Sequence, residues 1–538
     1  MIALAAGLAS ATGFAPLNLW PVTLAAFVLW MWLVADAPNL RGAMARGWWF
    51  GLGHFTVGMN WIAGAFRYQE TMPVWLGWFA VVTLALYLAV YPAAAAGLAW
   101  RWGTPSPFRG EGRLTNGSTP LPGAARLSLS PAGRGSFVFA LVFAAAWIVT
   151  EYLRASLFTG FAWNPLGVIL VGTPVADLSR LVGTYGLSGL TILVCGLLVI
   201  FVLHLWHEMR SKPLTPARVA ALIAFFVLPE IVVIALFPFL FAPNSSTAIS
   251  GTGPRVRVIQ PNIGQHTKHD DSFNERNWDK LATLTGPPGD KPRLILWPEA
   301  AVPYFLEQER WAVDRIAQLL GPKDMLLTGG DAFVWDKAGK EIVAAHNAVF
   351  AVSPQGRLTA RYDKAHLVPY GEYLPMRPLL SAIGLSRLVP GDLDFWPGPG
   401  PRSLTVTGFG KVGVQVCYEI IFSGEVVDAT NRPDFIFNPS NDAWFGAWGS
   451  PQFVAQSRLR AIEEGLPVIR ATPTGISAVI DSNGAVLVAL PMGKAGFIQT
   501  TLPKAAPPTL FARFGNILPF AFALTLIGFA VALRRRQR

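Results

Sequence analysis

Long apolar runs and short alternating ones divide the chain into two regimes. Eight apolar runs, at 2–17, 20–35, 44–66, 73–100, 136–153, 178–206, 217–242 and 515–534, read as membrane-crossing helices. Roughly 20 apolar residues suffice to cross about 30 Å of hydrocarbon. The first two runs are short and closely joined at 18–21, so they form either a tight hairpin or one broken segment. Between the seventh and eighth runs the pattern changes. Short β-rich stretches at 255–260, 294–297, 325–328, 348–352, 412–416 and 435–438 alternate with candidate helices, clearest at 307–320 and 452–464. Turn sequences such as Pro354-Gln355-Gly356 and Asp481-Ser482-Asn483-Gly484 separate them. That alternation predicts an α/β domain over 254–503, large enough for its own core. The expected organisation is a transmembrane domain of seven spans at 1–242, the α/β domain at 254–503, and a last span with a basic tail at 515–538. A Gly/Pro/Ser/Arg-rich stretch at 103–135 lacks periodicity and reads as a disordered cytoplasmic loop.

Composition supports lipid as the solvent for much of the chain. Hydrophobic residues make up 52% and charged residues 14% of 538, where a soluble protein carries about 25% charged residues. The net charge of +11 invites a nucleic-acid reading, but no nucleic-acid-binding motif accompanies it. Many of the cations instead flank apolar runs, where they orient helices. With the N-terminus inside, cytoplasmic loops hold Arg41, Arg46, Arg101, Arg109, Arg113, Arg126, Arg134, Arg210, Lys212 and Arg218, and the tail adds Arg534, Arg535, Arg536 and Arg538. The short outside loops hold only Arg67, Arg154 and Arg180. This asymmetry places the α/β domain outside the cytoplasm. The N-terminus shows no convincing signal-peptide cleavage site. The two cysteines, Cys195 in the sixth run and Cys417 in the α/β domain, sit in unrelated contexts, so a disulfide is not expected. Cys195 reads as packing, and Glu230 in the seventh run as a paired or protonated acid, or a functional one.

Three constellations carry possible chemistry. In Leu296-Trp297-Pro298-Glu299-Ala300 a strand ends at a proline and offers Glu299 at its C-terminal rim, where α/β sheets bind ligands. Lys364 lies in the polar and aromatic stretch from Tyr362 through His366, Tyr370, Gly371 and Glu372 to Pro375. In Val412-Gly413-Val414-Gln415-Val416-Cys417-Tyr418-Glu419, alternation puts Gly413, Gln415 and Cys417 on one face, with Cys417 where the chain turns. Taken singly, Glu299 fits a surface turn, Lys364 a solvated cation and Cys417 a packed thiol. Taken together they suit nucleophilic catalysis: a carboxylate takes the thiol proton and an ammonium stabilises charge beside it. No second His or Cys is spaced to make His366 a metal ligand, and it reads as a hydrogen-bonding loop residue.

Glu, Lys and Cys in this order and these local sequences resemble the carbon–nitrogen hydrolase, or nitrilase, superfamily. Joined to the membrane runs, nearly the whole chain resembles the apolipoprotein N-acyltransferase family. The resemblance implies an αββα sandwich outside about eight spans, in the bacterial inner membrane, with the catalytic domain on the periplasmic side. It implies Glu299 as general base, Lys364 as oxyanion stabiliser and Cys417 as nucleophile, carrying a reactive thiolate when the donor binds. Glu372, Tyr418 and Glu419 would support them. The block Asn438-Pro439-Ser440-Asn441-Asp442-Ala443-Trp444-Phe445-Gly446 also matches, and Trp444 would position lipid. Glu151, Tyr152 and Arg154 resemble a polar mouth at the end of the fifth run. Two positions depart from the family. His269 follows Lys268 where a tryptophan is usual at a lipid-contacting position, and Pro473 replaces a more usual asparagine. The implied reaction moves an acyl group from a phospholipid to the amine of a diacylglyceryl apolipoprotein through a Cys417 thioester, with no cofactor. The rival readings are a membrane-tethered amidase using water, and a transporter or lipid-binding scaffold with an inactive domain.

Overall fold

Twelve strands form among the described residues of the α/β part, and they fall into two six-stranded sheets. The structure is a computed structural model that describes residues 1–68, 73–104, 134–211, 253–268, 270–382 and 394–536. The apolar run at 217–242 with Glu230, most of the 103–135 stretch, and His269 lie outside the described residues. The first sheet comprises β1 (Arg255–Gln260), β2 (Arg293–Leu296), β3 (Met325–Trp335), β4 (Ile342–Val352), β5 (Leu358–Asp363) and β12 (Gly496–Thr501), in the order β12-β1-β2-β3-β4-β5. The second comprises β6 (Ser403–Val406), β7 (Gly410–Val414), β8 (Phe435–Pro439), β9 (Val468–Ala471), β10 (Ser477–Ile480) and β11 (Val486–Leu490), in the order β11-β10-β9-β8-β7-β6. β8, β9 and β10 are buried along their whole length, as strands covered on both faces must be. Gln260 on β1 joins the sheets: its amide oxygen accepts from the Thr472 hydroxyl at 3.3 Å and the Ser477 N–H at 3.0 Å.

Helices cover the outer faces. Trp278 and Leu281 of Asn274–Thr285 and Val313 and Ile316 of Arg310–Ala317 pack on Ile295, Trp297, Leu326 and Phe350 of the first sheet. Gly446–Glu464 serves the second sheet and closes at Gly465, whose φ of 66° is left-handed, a conformation glycine adopts without cost. Several elements differ in extent from the sequence pattern. The stretch at 325–328 extends to Trp335, because β3 and β4 pair antiparallel beyond the apolar core. The helix expected over 307–320 shrinks to Arg310–Ala317, and that over 452–464 begins at Gly446 with Pro451 inside it. By contact, Asn60–Ala80 belongs to the same compact unit as Ser246–Gly515.

The other unit is helical and apolar. Four helices among the described residues are long and apolar enough to cross a membrane: Leu76–Gly103, Gly135–Ser156, Pro174–Trp206 and Ile517–Arg535. Ile2–Gly13 and Trp20–Ala35 are shorter apolar helices, and the third run is taken up by Leu40–Gly58 only as far as Gly58, a separate short helix, Trp61–Ala65, following it. Small residues bring backbones together, as in membrane bundles generally. A Cβ on Gly47 would lie 2.7 Å from Ala93 Cα, and one on Gly51 2.8 Å from Ala89 Cα. Val138 and Val142 pack on Ala530 of the last helix. Cys195 is fully buried in this unit. Glu151 and Arg154 are buried, and both line a small pocket with His54, Trp147 and Asn164. The Glu151 carboxylate accepts from the Leu166 N–H at 2.8 Å, and Arg154 donates to the Trp163 carbonyl at 2.7 Å. Both therefore hold the buried segment that follows their helix.

Candidate active site

Each sequence-predicted catalytic residue stands at the end of a strand, for a local reason. β2 stops before Pro298, which has no N–H for the ladder. The chain still runs beside β3: the Trp297 N–H donates to Leu327 at 2.9 Å, Gly329 to Pro298 at 3.2 Å, and Ala301 to Gly329 at 3.2 Å. The contact is tight enough that a Cβ on Gly329 would sit 2.4 Å from Ala300 N and 2.8 Å from Glu299 Cα. Ala300 takes a φ of 43° and turns the chain just after Glu299. Lys364 directly follows β5, and its N–H donates to the Asn347 carbonyl at 2.9 Å. β7 ends at Val414, and the Gln415 N–H still reaches the Phe437 carbonyl at 2.9 Å. Cys417 then adopts a φ of 50° and opens one turn of 3-10 helix. Left-handed backbone on a non-glycine residue is strained, and such strain clusters at functional sites.

Glu299, Lys364, Glu372 and Asn347 form a buried cluster. Lys364 Nζ lies 2.9 Å from Glu372 Oε1 and 3.7 Å from Glu299 Oε1, and only 1% of its side chain is exposed. The Asn347 amide nitrogen donates to Glu299 Oε1 at 2.7 Å and to Glu372 Oε1 at 2.8 Å. Glu372 Oε2 accepts from the Val368 N–H at 2.8 Å, so the Tyr-Gly-Glu loop folds around its own carboxylate. Glu299 Oε2 is buried and has no hydrogen-bond partner among the described residues. A proton acceptor aimed at a reacting group has this arrangement: one oxygen anchored, the other unengaged.

Cys417 belongs to the same charge system. Burial pushes its thiol up to about 12, and the Glu299 carboxylate adds to that. Lys364, the Ser440 hydroxyl and the Asn441 N–H pull the other way. Without a donor, the proton therefore stays on sulfur, and a thiolate arises only as the proton leaves for a base. Burial disfavours the Lys364 ammonium, but Glu372, Glu299 and Cys417 outweigh it and raise its pKa overall. Lys364 is thus a permanent cation.

The residues flanking Cys417 hold its turn. Glu419 Oε2 accepts from the Val416 N–H at 2.6 Å. Glu419 Oε1 accepts from the Tyr362 hydroxyl at 2.9 Å and the Ala365 and His366 N–H groups at 2.7 and 3.1 Å. Glu419 therefore ties the nucleophile's turn to the Lys364 loop. Burial lifts its carboxyl to about 7 against the pull of Lys364 and of these N–H groups. Tyr418 packs edge-on against Phe422, with ring centroids 5.2 Å apart. His366 donates through its backbone, as expected, and its ring stacks on Phe422 at 3.6 Å. On the other side the Asn438 amide donates to the Gln415 carbonyl at 2.5 Å. Arg470, fully buried, donates to Asn438 at 2.6 Å and to both Asp442 oxygens at 2.7 and 2.9 Å. Trp444 is half-buried and meets Tyr68 edge-on at 5.7 Å, away from the carboxylate cluster's own bonds.

Residues 255–506 match the carbon–nitrogen hydrolase model, and residues 6–197 match the apolipoprotein N-acyltransferase N-terminal domain. The chain is 33% identical over 554 residues to an apolipoprotein N-acyltransferase of Rhodopseudomonas palustris, covering 100% of this chain and 95% of that one. It is 32% identical to one of Caulobacter vibrioides, over 99% and 94% of the two chains. The chain belongs to the apolipoprotein N-acyltransferase family. An apolipoprotein N-acyltransferase is an acyltransferase of lipoprotein maturation, carried as a multi-pass protein in the bacterial inner membrane. Among solved structures, a branch 10 nitrilase-superfamily member from Saccharomyces cerevisiae shares 20% identity at a TM-score of 0.34, over 48% of this chain and 93% of that one. Three residues around this cluster were not legible in the sequence. Asn347 and Asp331 sit mid-strand with no local motif, and Lys268 drew notice only for the residue after it. The pairing of Asp331 with Asn347 across β3 and β4 is what brings the first two to the site.

Proposed function

We propose that Cys417, Glu299 and Lys364 transfer a fatty acyl group from a phospholipid to the α-amine of a diacylglyceryl-cysteine by a two-step thioester mechanism. The observation that carries this reading is the unengaged, buried Glu299 oxygen in a cluster electrostatically coupled to Cys417. Glu299 takes the thiol proton as sulfur attacks the ester carbonyl, and the Lys364 ammonium stabilises the oxyanion. Collapse breaks the C–O bond, and Glu299 returns the proton to the leaving lysophospholipid. The neutral acceptor amine then attacks the thioester and gives a proton to Glu299. The C–S bond breaks to leave an amide, and Glu299 re-protonates the sulfur. Glu372 and Glu419 hold Lys364 and the Cys417 turn without reacting. Burial of the cluster excludes water, which would otherwise convert the first step into hydrolysis. Trp444 suits a headgroup boundary by its apolar body and single N–H donor. The reading includes eight spans, a catalytic domain over 254–503 and its placement on the periplasmic side.

The test uses purified full-length protein with phospholipid and no acceptor. Intact-mass analysis should show one added acyl group on Cys417, released by neutral hydroxylamine. A diacylated lipopeptide should discharge it with ping-pong kinetics. Label on another residue, or acyl loss only when both substrates are present, rules the mechanism out. Rapid discharge by water alone would favour the amidase reading.

A further inference from the structure

Lys268 ends the short helix Gln265–Lys268, and its ammonium donates to the Glu299 backbone carbonyl at 3.3 Å. It also interacts electrostatically with the Glu299 and Asp331 carboxylates and the Cys417 sulfur. The β3–β4 hairpin delivers Asp331 to this place. Asp331 lies two residues beyond Gly329, on the same strand face by alternation, and directly opposite Asn347. Gly329 packs on Glu299, and Asn347 bonds to it. Neither Lys268 nor Asp331 has a part in the acyl-transfer steps.

The six groups around Glu299 come from five places. They are Lys268 from the short helix, Asp331 from β3, Asn347 from β4, Lys364 and Glu372 from the loop after β5, and Cys417 from the turn after β7. Glu419 stands behind Lys364. Three carboxyls, Glu299, Glu372 and Asp331, would share one ammonium if Lys268 were absent. That ammonium is closer to Glu372, at 2.9 Å, than to Glu299, at 3.7 Å. Lys364 is thus engaged first by Glu372, and Lys268 is the second cation in contact with the Glu299 segment.

We propose that Lys268 is a positioning cation: it holds the Glu299 backbone through its carbonyl and sets a second positive charge beside the carboxylate that takes the Cys417 proton, with Asp331 as its counter-ion. The assignment rests on Glu299 being the base. Burial lowers the Lys268 pKa, and Glu299, Asp331 and Cys417 counteract it. Burial pushes the Asp331 carboxyl up to about 6, against Lys268 and with help from Glu299 and Glu372. As pH falls through about 6, protonation of Asp331 removes the negative charge that opposes Lys268.

The pH dependence of Cys417 alkylation by iodoacetamide tests this in the full-length protein without acyl substrates. Its acid limb reports loss of the first proton from the Glu299–Cys417 pair. Lys268→Met should move that limb up by about 1 pH unit, the size expected for losing one nearby opposite charge. Lys268→Arg keeps the charge and should show less than half that shift. If the methionine variant does not fold, Lys268→Gln carries the same expectation. An unmoved limb in the uncharged variant, or equal shifts for arginine and methionine, overturns the proposal. In Glu299→Gln the acid limb should vanish, leaving a single alkaline rise. A limb that persists there removes the base assignment and this inference with it. A limb lost in Glu299→Gln but unmoved in the Lys268 variants sinks the Lys268 inference alone.

Discussion

At the scale of single residues, the site works by assigning each polar atom one job. Asn347 spends its amide hydrogens on Glu299 and Glu372, which keeps two carboxylates side by side around Lys364. Asn347→Asp would replace both donors with a third negative charge of nearly the same shape. Like charges at this separation repel strongly in a buried site. The rate of Cys417 acylation, followed by intact mass, should fall at least about 10²-fold, the lower end of losses for disabling a general base. Wild-type acylation in Asn347→Asp would show that Asn347 is packing alone. Glu299→Gln separates two effects of opposite sign. Removing its negative charge brings the Cys417 thiol down from about 12, because Glu299 helps hold it there. Turnover should still drop by about 10²–10⁴-fold, since no group remains to take and return the proton. A variant with a lower thiol pKa and undiminished turnover would remove Glu299 from the mechanism.

At the scale of elements, strand ends and one hairpin set the geometry. Gly329 is the point where β3 touches the Glu299 segment, and the three nearest atoms its Cβ would meet are all backbone. No side chain can move aside, so Gly329→Ala must push Glu299 away from Lys364 and Asn347. Misplacement by about 1 Å costs about 10²-fold in rate. Acylation should fall by that order while the thermal unfolding midpoint changes far less than for loss of a core residue. An unaffected rate would mean the Glu299 segment is not held by β3. This dependence explains what the sequence could reveal. Glu299, Lys364, Glu372, Cys417 and Glu419 each sit in a local string whose turn residues announce a strand end, so their place in the fold was legible along the chain, while their roles came from the family resemblance. Asn347 and Asp331 lie in the middle of long strands, and they matter only through the cross-strand register that places one beside the other. A residue pattern read along one strand carries no information about its partner. The resting state of Cys417 was also hidden, because it depends on burial and on the sum of charges from several elements. The same reason hid the bonds by which Glu151 and Arg154 hold a buried segment.

At the scale of the whole molecule, the chemistry and the membrane impose one requirement together. Both substrates of a lipoprotein acyltransferase carry acyl chains, so the reacting thiol must work where lipids reside. The apolar helices and the α/β domain answer that need only if the domain lies on the side of the membrane where the acceptor is exposed. The distribution of cations decides the side. Arg534, Arg535 and Arg536 end the last membrane-length helix, Ile517–Arg535 or its immediate continuation. Arg41 and Arg46 sit at the start of Leu40–Gly58. Cytoplasmic retention of such clusters puts the N-terminal half of Ile517–Arg535, and the domain before it, outside. An alkaline phosphatase fusion truncated near Gly329 should therefore be active, and one placed after Arg538 inactive. A green fluorescent protein fusion should give the reverse pair. Changing Arg534, Arg535 and Arg536 to neutral residues should weaken the orientation of the last helix without altering the domain's own translocation, because long segments cross largely regardless of charge. Finding both fusion points on one side would break the link between the final span and the catalytic domain's location. The thiol chemistry would then have to act on the cytoplasmic leaflet.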